Sequence, residues 1–62
     1  MDTALPKTSN PAAAAFEQAG IHTLEQAGQA GAMQLSSLHG VGPKAIRILR
    51  EELAKIGLEM NP

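Results

Sequence analysis

Cysteine, tryptophan and tyrosine are absent from this sequence, and Phe16 is its one aromatic residue. The lack of thiols excludes a disulfide framework and a thiolate metal site. No apolar run approaches the length of a membrane span or of a signal-peptide core, so the chain reads as soluble and cytoplasmic. Excess positive charge is missing too. The formal net charge is -1 and the isoelectric point lies near 6.0, which argues against a strong, indiscriminate nucleic-acid binder. At 62 residues there is room for one small core and none for a separate catalytic cleft.

Apolar residues make up 44% of the chain, but eleven of them are alanines. The larger ones suffice for a compact helical bundle of modest stability. Charge is unevenly placed. Up to residue 38, Asp2, Glu17 and Glu25 stand against Lys7; beyond it, Lys44, Arg47, Arg50 and Lys55 oppose Glu51, Glu52 and Glu59, so the two parts carry -2 and +1.

Residues 1–9 show no period and read as a flexible lead-in, with Leu5 able to dock on the bundle. The domain then occupies residues 10–60. Asn10 and Pro11 read as N-cap and first residue of a helix that runs to Ala19 before Gly20, with Ala12, Ala15, Phe16 and Ala19 on its core face. Thr23 and Gln26 are spaced as a capping box for a short second helix, whose length Gly28 and Gly31 limit. A third helix over Ala32 to Leu38 presents Met33, Leu35 and Leu38. The last, Pro43 to Ile56, repeats Ile46, Leu49, Leu53 and Ile56 on one face and ends at Gly57, where Leu58 and Met60 can fold back. With no alternating strand pattern the class is all-α, a compact bundle of four to five short helices. A helix, a turn bearing Ile21 and a helix are followed by a helix, a turn bearing Val41 and a helix, so the domain reads as two similar halves.

The turn Leu38-His39-Gly40-Val41-Gly42-Pro43-Lys44 carries the chemistry. Its glycines permit backbone conformations closed to other residues and leave the main chain open to a ligand. Pro43 suits the first position of the following helix. The amides of Gly42, Lys44 and Ala45 then lack intrahelical partners and lie at the positive end of the helix dipole, which favours a phosphate. The alternative is that the turn only connects two helices. Lys44 speaks for the anion, because a cation in the first turn opposes the dipole and gains from an anionic partner.

The segment LHGVGPKAIRIL, residues 38 to 49, resembles the helix-hairpin-helix motif of DNA-binding proteins, and AGIHTLEQ, residues 19 to 26, resembles its degenerate partner. Together they are similar to tandem helix-hairpin-helix domains of SAM-like architecture, such as the C-terminal domains of the bacterial RNA polymerase alpha subunit and of TfoX-type competence regulators. The resemblance implies contact with the backbone of double-stranded DNA without sequence specificity. It assigns the hairpin role to Gly40, Val41 and Gly42, the helix-start amides to Lys44 and Ala45, and side-chain contacts to Lys44 and Arg47. It also implies that a monovalent cation can be held by hairpin carbonyls. The first half lacks the second glycine, and it offers Ala13, Ala14, His22 and Glu25 where relatives often carry basic residues. A footprint of a few phosphates follows, with a monomer expected.

Secondary candidates are His39, Gly20, His22 and Arg50. The two histidines sit beside hairpin glycines and can donate to a phosphate when protonated, but no acidic or thiol residue completes a metal set around them. Arg47, Glu51 and Lys55 are spaced four apart, as in a solvated ladder of ion pairs, and Arg50 and Lys55 read as part of that solvated surface. Only Arg47 shares a face with Lys44. The letters of Gly40 to Ala45 fit G-x-G-x-x-A, yet no strand precedes them. No acid, serine or histidine has an activating partner, so the chain reads as non-enzymatic. A competing reading is a protein-interaction module on the same scaffold, for which Ile48, off the core stripe, is the candidate contact unless the lead-in covers it.

Overall fold

The computed structural model describes residues 2–62. It contains α1 (Asn10–Gln18), α2 (Leu24–Ala30), α3 (Ala32–Ser36) and α4 (Pro43–Lys55), and no strand among the described residues. The all-α bundle expected from the sequence is present, with four helices. None of them is long and apolar enough to cross a membrane.

Each helix boundary has a local cause. The hydroxyl of Ser9 accepts from the Ala12 amide at 3.3 Å, so the cap of α1 is Ser9 rather than Asn10, and Asn10 joins Pro11 in the first turn. Ser9 prevails because its extended backbone aims a short oxygen at the amide three residues on. At the start of α2 the expected capping box is complete: Thr23 Oγ1 accepts from the Gln26 amide, while Gln26 Oε1 accepts from the amides of Thr23 and His22. Gly28 does not stop α2. It lies within the helix, where a side-chain carbon would stand 3.2 Å from Leu53 Cδ2, so its bareness lets α4 pack closely. Gly31 ends the helix instead.

The core is formed by Ala12, Ala15, Phe16, Ile21, Leu24, Ala27, Leu35, Val41, Ala45, Ile46, Leu49, Leu53 and Met60. Phe16, Leu24, Leu35, Leu49 and Leu53 are its largest fully buried side chains, each contributing about 1.5–3 kcal/mol through removal from water. Ile21 and Val41 point inward from their turns, as expected. Three expected core residues do not join it. Ala19 is exposed because α1 has already ended at Gln18. Met33 is 79% exposed, since α3 has only five residues and Leu35 takes its inward position. Ile56 is 42% exposed because α4 ends at Lys55 and the chain turns away; Met60 covers the core there.

The tightest helix packing is α2 on α4, with α3 against both. The segments at the two ends of the described chain are strapped onto α2. At one end Thr3 donates from its amide to Glu25 Oε1 at 2.8 Å and from its hydroxyl to Oε2 at 2.7 Å. The Leu24 amide donates to the Thr3 carbonyl at 2.8 Å, Ala4 forms an isolated bridge with Thr23, and Leu5 packs on the core. At the other, the Asn61 amide donates to the Gly28 carbonyl, the Asn61 carbonyl accepts from the Ala32 amide, and the Asn61 side chain donates to the Gln29 carbonyl.

Candidate nucleic-acid interface

The turn between α3 and α4 folds under two constraints. The Val41 amide donates to the Leu38 carbonyl at 3.2 Å, and the Val41 side chain is buried. Gly40 has φ of 97° and lies against the backbone of Pro11, so a glycine is required there by both conformation and space. Gly42 differs from expectation. Its φ of -109° and ψ of -178° are open to any residue, and nothing lies within 4 Å of where its side chain would start. Neither folding nor packing therefore demands glycine at 42; what its bareness leaves is access to the main chain.

Gly42 serves as N-cap of α4 with no side chain to satisfy the helix start. Its carbonyl accepts from the Ile46 amide. The amides of Gly42, Lys44 and Ala45 have no acceptor among the described residues. Val41 is committed internally, so its contribution to the turn is apolar packing rather than a free donor.

The first turn is the opposite case. The Gly20 amide donates to Glu17, Ile21 to Phe16, His22 and Thr23 to Gln26, and Leu24 to Thr3. Almost every donor is spent on the protein itself, and the capping glutamine occupies the place an external anion would take. Gly20 and His22 thus stand beside a closed turn. His39 is exposed and lines a groove with Ala15, Gln18, Ala19 and Leu38 rather than either groove at the start of α4.

Two open grooves flank the start of α4. One, of about 500 Å³, is lined by Lys7, Thr8, Ser9, Gly42, Lys44, Ala45 and Ile48. The other, of about 460 Å³, lies between α3 and α4, where Gly42, Pro43 and Ile46 meet Arg47 and Arg50. Arg47 therefore keeps company with Arg50 rather than sharing the groove of Lys44. No acidic residue lines either groove. Of the five cations in the chain, four surround this turn.

None of those four is in an ion pair among the described residues. The pair that does form joins Lys55 to Glu52 at 2.7 Å, in place of the expected ladder from Arg47 through Glu51 to Lys55. Residues three apart on a helix are neighbours as much as those four apart. The hydrogen bond to Glu52, aided by its charge, raises the Lys55 pKa above the ordinary lysine value. Lys7 is the residue that sequence reasoning missed. Its segment has no period from which to read a position, so no local signal places it.

The chain matches no known family model, no curated protein and no solved structure.

Proposed function

We propose that this chain binds the phosphate backbone of double-stranded DNA weakly and without strong sequence preference, as a monomeric tandem helix-hairpin-helix domain. The observation that carries the reading is the gathering of four cations around three main-chain donors, none of them with a partner among the described residues. A phosphate oxygen at Gly42 accepts from the amides of Gly42, Lys44 and Ala45, at the positive end of α4. The Lys44 ammonium neutralises it, and Arg47 reaches a neighbouring phosphate. Such contacts position a protein on the duplex but carry little sequence information. The saturated first turn takes no part.

The competing protein-docking reading rests on the near-neutral charge, the alanine-rich first helix and Ile48 as the contact. Ile48 is partly buried and lines the groove beside Lys7, Thr8 and Ser9, so it offers a partner little apolar surface. Titration of labelled duplex DNA at several salt concentrations tests the DNA reading. The expected dissociation constant at physiological salt is about micromolar or weaker, with a salt slope reflecting about two to four neutralised phosphates. Lys44→Glu should lower affinity by about tenfold or more at low salt. Absence of binding at low salt, or equal binding after that reversal, would reject it.

A further inference from the structure

We propose that Lys7 is an additional phosphate contact of this interface, held in place by the latch between Thr3 and Glu25. The inference rests on the DNA reading above and extends its footprint to a segment outside the helices. That segment is fixed at both ends. Thr3 and Ala4 are bonded to the start of α2 through Glu25, Leu24 and Thr23, and Ser9 is bonded to the start of α1. Between them Leu5 docks on the core and Pro6 has its φ fixed by its ring. The chain from Ala4 to Ser9 spans at most about 18 Å, so the backbone at Lys7 is kept beside the groove that it lines with Gly42, Lys44 and Ala45, while its side chain is exposed.

A lysine on a free tail would be ordered only on binding, at an entropic cost. Here the backbone that carries it is placed when the domain folds, which leaves only the side chain to be ordered on binding. Glu25 touches no phosphate; it is a positioning residue, acting on Lys7 through Thr3. Its role has an unusual sign. Removing an acid ordinarily strengthens attraction to DNA, whereas removing this one also releases Lys7.

The test is the salt dependence of duplex binding for Lys7→Ala, Glu25→Ala and the double variant, with Thr3→Val as a charge-neutral disturbance of the same latch and circular dichroism to verify helix content. Lys7→Ala should weaken binding by about three- to tenfold at low salt and reduce the salt slope by about one phosphate. Glu25→Ala should reduce the slope by the same amount despite its lost negative charge, and the double variant should be no weaker than Lys7→Ala. Thr3→Val should shift affinity in the same direction. An unchanged slope in Lys7→Ala would overturn the contact, and tighter binding with unchanged slope in Glu25→Ala would overturn the latch. If the unaltered protein binds DNA and responds to Lys44→Glu while these variants do not, this inference alone falls. If the unaltered protein does not bind, the DNA reading falls first.

Discussion

Gly40 meets Pro11 backbone to backbone: a side-chain carbon on Gly40 would stand 2.8 Å from the Pro11 carbonyl oxygen. The turn that precedes α4 is thereby braced against the first turn of α1, and its shape is set from outside as well as by its own hydrogen bond. Gly40→Ala should destabilise the domain by about 1–3 kcal/mol from its positive φ alone, and the displaced backbone adds to that. Gly42→Ala should change stability by no more than about 1 kcal/mol, because the lower entropy of the unfolded chain is set against alanine's poorer N-capping, yet weaken DNA binding, because a methyl group would enter the open space through which a phosphate approaches the start of α4. Chemical denaturation and duplex titration on the two variants separate these effects. Equal loss of stability in both would show that the two glycines serve the same purpose.

Leu49 is completely buried on α4. Replacing it with alanine should cost about 2–5 kcal/mol. At about 0.05–0.15 kcal/mol per residue, a 62-residue chain has about 3–9 kcal/mol in total. Leu49→Ala should therefore leave a measurable unfolded population at room temperature, visible as lost helical circular dichroism and restored by a stabilising osmolyte.

Arg50 and Lys55 are both cations of α4, but only Arg50 lines a groove at the turn, while Lys55 is paired with Glu52. Arg50→Ala should weaken DNA binding by about three- to tenfold and reduce the salt slope. Lys55→Ala should leave both nearly as they were. A larger loss from Lys55→Ala would move the interface to the far end of the helix.

Glu25 supplies a pH dependence. The hydrogen bonds from the Thr3 side chain, and then from its backbone, favour the carboxylate and hold its pKa below the ordinary glutamate value. A depressed folded-state pKa adds stability that is fully present above the unfolded value, about 4.3, and is lost as pH falls through the lower folded value. Carbon-detected NMR titration of Glu25 should give a midpoint below that ordinary value, and Thr3→Val should move it upward. A midpoint at or above it would mean the latch is open in solution.

Much of this architecture was legible in the residues. Thr23 with Gln26, Pro43 after Gly42, and the stripe of Ile46, Leu49 and Leu53 act over one or two turns, so their spacing alone carries the information. The free amides of Gly42, Lys44 and Ala45 were legible for the same reason: a helix beginning at a proline after a bare residue has no internal means of satisfying them. What spacing could not reveal depends on distant pairings. Gly28 reads as a helix stop until Leu53 is placed against it, and Ile56 reads as core until Met60 returns to cover the end of α4. Arg50 read as ordinary solvated surface because its companion groove is made partly by α3. Lys7 was invisible because nothing local says where an aperiodic segment goes; Glu25, 22 residues away from Thr3, decides it.

The seven-residue α2 is too short to persist by itself in water, yet it is the helix to which residues near both ends of the chain are tied. Hydrogen bonds reaching across 22 and 32 residues hold it from either side. Formation of α2 is therefore coupled to the placement of Thr3 and Asn61: closing these loops precedes the reward for forming the helix, which slows folding relative to a bundle assembled from neighbouring hairpins. The stretch from Thr3 to Asn61 should therefore order in a single concerted step, without an intermediate in which α2 stands alone.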